Sequence, residues 1–286
     1  MHNILVTGSK GQLGNEIQKL ATSYPFCKFI FTDVEELDIT DVEQIDNFFN
    51  KNKIDFIINC AAYTAVDKAE TDRKLADLIN VTAVKYLAKI SKKFKTILIH
   101  ISTDYIFNGK NYKPYVETDK PVPSSYYGQT KLNGEIQIEK YAGNAIIIRT
   151  SWLYSGFGNN FVKTMIKYGN ERDSLKVVAD QVGTPTYAAD LAKAILEIIP
   201  KLINIKGIEI YNFSNEGAIS WYDFAKAIMK LKNINCKIIP IESKDYPTLA
   251  PRPFYSILNK AKIKNDFGIE IPYWLHSLEK CLAELK

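Results

Sequence analysis

Cysteine is scarce. Cys27, Cys60, Cys236 and Cys281 are the only four in 286 residues. They show no Cys-x-x-Cys spacing and have no histidine pair beside them, so neither a disulfide framework nor a zinc site is expected. A reducing, cytoplasmic setting fits that scarcity. Histidine is scarcer still, and His2, His100 and His276 share no motif with the candidate site, so they are given no role. No apolar run approaches the ~20 residues of a membrane span. The first strand is expected to start by Asn3, which leaves no room for a signal sequence. One-sided charge is missing as well, with 37 Lys+Arg against 32 Asp+Glu. The densest basic cluster, Lys92-Lys93-Phe94-Lys95, reads as a solvated helix end, and no nucleic-acid-reading motif accompanies it. Repeats and low-complexity segments are also absent. What these absences leave is a soluble chain long enough for an α/β core and a smaller attached lobe.

Apolar runs and helical patterns alternate along that chain. Buried strands are expected at residues 3–7, 28–32, 55–59, 96–101 and 145–149, and helices over 13–21, 42–49, 76–90 and 127–139. Such alternation implies a Rossmann-like, doubly wound parallel sheet covered on both faces, with ligands at the carboxyl ends of its strands. From about Gly156 the pattern loosens. Residues 1–155 are therefore expected to form a dinucleotide-binding domain, to which the chain returns later, and 156–286 mainly a substrate-binding lobe. Two proline-bearing stretches, 113–123 and 247–253, read as ordered loops near a site.

The run Gly8-Ser-Lys10-Gly11-Gln12-Leu13-Gly14 lies between the first expected strand and the first expected helix. That context raises a three-glycine match above a mere turn. Glycine permits a tight bend and lets a pyrophosphate approach backbone N–H groups at the helix N-terminus. Asp33, ending the second strand, can accept from an adenosine ribose and favours NAD, whereas Lys10 can pair with a 2′-phosphate and favours NADP. Both cofactors are expected to be tolerated, with a lean to NADPH. Ala61, Ala62 and Tyr63 follow the third strand, and the small side chains there leave space for the cofactor or, equally, for close helix packing.

Tyr127 and Lys131 stand one helical turn apart on one face. A cation held close to a phenol favours the phenolate, which makes the hydroxyl a usable acid or base at neutral pH. Tyr24 with Lys28 and Tyr222 with Lys226 repeat the spacing, so context must choose. Only Tyr127 has a strand ending in Ser102-Thr103-Asp104 shortly upstream and a glycine-rich loop opening its domain.

Taken together, the glycine loop, the small-residue strand end, the Ser-Thr after the fourth strand and Tyr-x-x-x-Lys resemble the extended short-chain dehydrogenase/reductase family. Within it the chain is most similar to the dTDP-4-dehydrorhamnose reductase branch. The matching stretches include Gly11-Gln-Leu-Gly14, Ala61 through Glu70, Ser102-Thr-Asp-Tyr-Ile-Phe107, Arg149-Thr-Ser-Trp152-Leu-Tyr154, Gly158-Asn-Asn-Phe161, Asp180 through Thr186 and Arg252 through Leu258, which together run along nearly the whole chain. The resemblance implies NAD(P)H-dependent reduction of the 4-keto group of a dTDP-linked 6-deoxy sugar, giving dTDP-L-rhamnose for surface polysaccharides. It also implies a catalytic set of Thr103, holding the carbonyl oxygen, Tyr127 as proton donor, and Lys131, lowering the phenol's pKa and bonding the nicotinamide ribose. Asn80 is a weaker candidate for a proton relay, with local backbone bonding as the alternative. Dehydratases of the superfamily resemble Thr-Asp-Glu where this chain has Thr103-Asp104-Tyr105, so the dehydratase base is missing here.

On the substrate side, Asp104, Tyr105, Trp152, Asn160, Phe161 and Arg252 are the expected contacts, the arginine through the nucleotide diphosphate, with steadying of its loop the alternative for Asp104 and an exposed surface position the alternative for Arg252. For Trp152 core packing is the alternative. A nucleotide sugar is thus the expected partner, with no nucleic acid, no membrane and no catalytic metal. Some members of the family pair through acidic residues and a magnesium ion; a homodimer is compatible with Glu16, although a lone helical glutamate is usually solvated. A non-enzymatic regulatory subunit on the same fold, and a reductase giving the C4 epimer, stay open as alternatives.

Overall fold

The computed structural model describes residues 1–285. It opens with β1 (His2–Thr7), α1 (Gln12–Leu20), β2 (Cys27–Thr32), α2 (Val42–Lys51), β3 (Phe56–Asn59), α3 (Val66–Ala69), α4 (Arg73–Asp77), α5 (Val84–Phe94), β4 (Ile97–Thr103), α6 (Tyr126–Tyr141) and β5 (Asn144–Thr150). There follow β6 (Leu153–Tyr154), α7 (Phe161–Glu171), β7 (Ser174–Val178), β8 (Val182–Gly183), β9 (Thr186–Tyr187), α8 (Ala188–Leu202), β10 (Ile208–Asn212), β11 (Ile219–Ser220), α9 (Trp221–Leu231), β12 (Lys237–Ile241), α10 (Ala261–Phe267) and α11 (Trp274–Glu284).

Six strands form one parallel sheet in the order β10-β5-β4-β3-β1-β2. Side chains alternate across it. Ile4 and Val6 face a core shared with Leu13 and Ile17 of α1 and the apolar face of α8, while Leu5 between them faces Ile45 and Phe49 of α2 and Leu87 of α5. Burial on both faces is why these strands read as apolar runs rather than as alternating ones. The chain leaves β1 toward β2 on one side and reaches β3 on the other, so a crevice opens at the carboxyl ends of β1 and β3. Residues 188–212 supply α8 against α1 and β10 at the edge of the sheet. A second core lies among α7, α9 and α11 and the parallel β7–β12 pair, centred on Phe224, Ile228 and Leu278.

Two expectations need correcting. The helix expected over 76–90 is broken: α4 runs into a π-helical turn at Leu78–Ala83 before α5 begins. The widened turn carries Asn80, whose carbonyl oxygen lies 2.4 Å from where a Cβ on Gly134 of α6 would stand, so glycine lets the two helices meet there. Glu16, read as a solvated helical glutamate, is fully buried with neither carboxylate oxygen partnered, and burial pushes its pKa up to about 7.

Candidate functional site

The first wall of the site is the start of α1. Gly8 has φ 63°, and a Cβ there would stand 2.6 Å from the Ala61 nitrogen. A Cβ on Gly14 would meet Ser9 Cα at 2.5 Å, so the helix can begin directly on the strand end only without side chains. Gly11 is the N-cap and offers no side-chain oxygen, and the first turn holds no acidic residue. Unspent N–H groups of a first turn, with the helix dipole behind them, suit an anion. Gly8, Gly11, Cys60 and Ala62 line both halves of the crevice: one half of about 680 Å³ running past Lys10, Asp33 and Ala61, the other of about 600 Å³ running past Gln12 and Leu13 toward β4. Tyr63 lines neither half. Its backbone N–H and carbonyl are held by the Asn80 side chain at 2.9 and 3.1 Å, and its hydroxyl donates to Asp72. Asn80 therefore satisfies local backbone groups, and its amide also reaches Thr130 Oγ1 at 3.0 Å.

Lys10 and Asp33 stand side by side, and both are already engaged. Asp33 accepts from the backbone N–H of Lys10 and of Val34, each at 2.9 Å, while the Lys10 ammonium pairs with Glu35 at 2.6 Å and lies 3.4 Å from Glu36. A 2′-phosphate must compete with these carboxylates for Lys10. Lys10→Ala is accordingly expected to weaken NADPH about fivefold more than NADH, and Glu35→Gln to shift the ratio the other way, by the modest amount that an exposed pair carries. Fluorescence titration with each nucleotide decides; equal losses would remove Lys10 from the 2′-phosphate site.

The second wall is where β4 meets α6. Ser125 caps α6 by accepting from the Gly128 N–H at 3.2 Å, and this sets Tyr127 in the first turn with Lys131 one turn later, both buried. Beneath them a buried pair joins strand to helix: Arg149 of β5 donates to Glu135 of α6 at 2.8 and 3.1 Å, and the Ser102 hydroxyl donates to the same carboxylate at 2.5 Å. Thr103 is thereby held beside α6. Its hydroxyl donates to Asp104 Oδ1 at 3.1 Å and accepts from the Tyr105 N–H at 3.3 Å. Thr103, Asp104, Tyr105, Tyr127 and Lys131 all line the crevice half that begins at Gly11.

Burial sets the electrostatics. It pushes the Tyr127 phenol well above its ordinary value, with Thr103 acting against it and the charge of Asp104 adding to it. Burial likewise raises Asp104 to about 7, although Ser256 and Thr103 oppose it, and leaves one of its carboxylate oxygens without a partner. Tyr105, edge-on to Tyr127 with centroids 5.5 Å apart, is raised by burial to about 12. The Lys131 ammonium is lowered by burial to about 8, with Glu135 opposing. The Lys131 Nζ donates to the Ile101 carbonyl at 2.7 Å and lies 3.4 Å from His100 Nε2. Tyr127 thus keeps its proton at neutral pH, the state a proton donor needs.

The third wall comes from the smaller lobe. Trp152, at φ 47°, lines the same crevice half and stacks on Trp221 with centroids 3.5 Å apart. Phe161 and Trp221 line an adjoining pocket of about 400 Å³ together with Asp67, Tyr105 and Arg252. Arg252 donates to Asp67 at 2.6 Å and keeps Nη1 buried and unpartnered. Asn160 is occupied elsewhere: it caps α7 through the Lys163 N–H and donates to Gln12 Oε1 at 2.9 Å, tying the lobe to the glycine loop. The sequence pattern gives no role to Trp221, Asn59 or His100. For Trp221, no local signal was present. For His100 one was, since a histidine inside an apolar strand must be hydrogen-bonded.

Known proteins share this arrangement end to end. The family described as RmlD substrate binding domain matches residues 1–286. A dTDP-4-dehydrorhamnose reductase of Aggregatibacter actinomycetemcomitans is 40% identical over 292 residues, 99% of each chain. Among solved structures, a dTDP-4-dehydrorhamnose reductase from Clostridium acetobutylicum superposes with a TM-score of 0.94 at 43% identity, covering 99% of both chains. Another, from Bacillus anthracis in complex with NADP, has a TM-score of 0.93 at 37% identity and the same coverage. Similarity of that depth, unbroken from the glycine loop to the last helix, makes this chain a member of the dTDP-4-dehydrorhamnose reductase family.

Proposed function

We propose that this protein reduces the 4-keto group of dTDP-4-dehydro-L-rhamnose to give dTDP-L-rhamnose, using NADPH and accepting NADH. The observation that carries this reading is the convergence of Thr103, Tyr127 and Lys131 in a crevice continuous with an uncapped helix start. The residues fit a dinucleotide: backbone fills the Cβ positions of Gly8 and Gly14, and small side chains close β3. The backbone around Gly8, Lys10, Gly11, Gln12 and Leu13, with Asp33, Ala61, Ala62 and Lys131, would hold it. When bound, the nicotinamide supplies the hydride.

The chain's own part is the proton and the oxygen. Thr103 and Tyr127 offer hydroxyl groups to the keto oxygen, and as negative charge develops there Tyr127 gives up its phenolic proton, an alkoxide being the stronger base. Lys131, one turn along, then steadies the phenolate. Tyr105 stands where a dehydratase needs a carboxylate, which leaves the chemistry at simple reduction. We assign the lobe built mainly from residues 156–286 to the nucleotide sugar, with Trp152 and Phe161 against its rings and the free Nη1 of Arg252 toward its phosphates. A cytoplasmic setting and a homodimer belong to the same reading, and sedimentation velocity tests the latter.

Loss of NADPH absorbance with the keto-sugar nucleotide, followed by NMR of the product sugar, tests the assignment. Stoichiometric oxidation with a rhamno-configured product is the expected result. Cofactor binding without turnover at high protein concentration would replace the reductase with a binding subunit, and a C4-epimeric product would replace the stereochemistry.

A further inference from the structure

His100 sits in the middle of β4, completely buried, and it touches both neighbouring layers of the site. Its Nδ1 lies 3.0 Å from the Asn59 side-chain amide on β3, and its Nε2 lies 3.4 Å from the Lys131 ammonium on α6. Asn59 in turn is bonded at 2.7 Å to the Thr7 hydroxyl on β1, the residue immediately before Gly8. A row of buried polar groups therefore runs through three strands from the glycine loop to Lys131.

We infer that His100 is a positioning residue for Lys131: a neutral imidazole carrying its proton on Nδ1, which donates to the Asn59 carbonyl oxygen, and accepting at Nε2 from the Lys131 ammonium. In the structure Asn59 Nδ2 faces the ring and its Oδ1 accepts from the Thr7 hydroxyl, an orientation that puts the imidazole proton on Nε2. That N–H would then face the N–H groups of a charged lysine, donor against donor. Turning the Asn59 amide removes the conflict, because the Thr7 hydroxyl can accept as readily as donate. Burial and the charge of Lys131 both hold His100 well below its ordinary pKa, so the ring is neutral.

The consequence falls on Lys131. Its ammonium has two acceptors, the Ile101 carbonyl and His100, in a place where burial alone draws its pKa down. The titratable and charged groups around the pair are Tyr127 and Glu135 on α6, Arg149 on β5, whose charge is met by Glu135, Asp104 at the end of β4, and Cys60 at the end of β3, whose thiol burial raises to about 12. None of them replaces the acceptor that His100 provides. Removing it disfavours the charged amine, so the lysine titrates at lower pH and the alkaline limb of kcat moves to lower pH with it.

The test has two arms, and only the kinetic one rests on the reductase reading. In nitrogen-15 NMR of the wild-type protein, three histidines make assignment direct. His100 is expected to show a protonated Nδ1 and an unprotonated Nε2, constant from about pH 6 to about pH 9, outside the usual titration of histidine. A proton on Nε2, or an imidazolium in that range, would overturn the inference whether or not the protein reduces a keto sugar. In kinetics, His100→Leu is expected to lower kcat about tenfold and move its alkaline limb down by about one pH unit, with KM for the sugar nucleotide held. His100→Gln, whose amide oxygen can reach the same ammonium, is expected to restore most of both. Limbs at the wild-type position in both variants would reduce His100 to packing; if His100→Leu does not fold, the glutamine variant and the spectrum decide.

Discussion

Replacing Tyr127 by phenylalanine is expected to lower kcat by about 10²–10⁴, the usual worth of a positioned general acid, while NADPH affinity stays within about twofold of wild type. The separation follows from the geometry. The phenol hydroxyl faces the crevice beside Thr103, whereas the groups that would hold the dinucleotide's phosphates lie at the start of α1, across the cleft. The ring itself is buried against Tyr105 and the phenylalanine keeps that contact, so loss of stability is not the cause of the loss of rate. Stopped-flow measurement of hydride transfer at saturating cofactor is the check. A variant with more than about a tenth of wild-type rate would move the acid to another group, and Asp104, buried with a free carboxylate oxygen and raised to about 7, is the carboxyl group of the site placed to take that part.

Much of the architecture was legible in advance because it rests on short-range pattern. Ile4-Leu5-Val6 and Ile57-Ile58 are apolar on both faces, as strands covered on both sides usually are. The glycine loop and the Tyr-x-x-x-Lys pair were legible for a similar reason: each is contained in one turn of chain. What escaped depends on residues far apart in sequence. Glu16 lies on α1, which packs against α8, and Asp190 and Glu284, whose charges add to the rise in its pKa, come from α8 and α11, far away in sequence. His100 acquires its partners from β3 and α6. Asn160 shows the opposite case. An asparagine directly before a helical pattern is a cap first, and its amide is then shared between the cap of α7 and Gln12. The π-helical turn around Asn80 has no signature in a hydrophobic period, because the extra residue is accommodated by α6 packing at Gly134.

The Arg149–Glu135 pair should dominate the stability of the site. Both side chains are almost completely buried, and every N–H of the arginine fork that points at Glu135 loses its partner if the carboxylate is removed. Glu135→Ala is therefore expected to cost about 3–5 kcal/mol, the penalty of a buried charge left alone rather than the worth of the pair. Removing both charges in Glu135→Leu with Arg149→Met should recover most of that loss, since apolar groups of similar volume need no compensation. Urea denaturation of the three proteins gives the comparison; a single variant within about 1 kcal/mol of wild type would mean that water reaches the pair. Activity should not recover in parallel. Ser102 donates to the same carboxylate at 2.5 Å, and through it the end of β4, with Thr103, is held against the helix that carries Tyr127 and Lys131. An apolar replacement restores the packing but returns no acceptor to Ser102. The double variant is expected to fold about as well as wild type and to turn over about tenfold more slowly, the cost of a catalytic hydroxyl that is no longer fixed in place. Equal recovery of stability and turnover would show that β4 is positioned by its sheet neighbours alone.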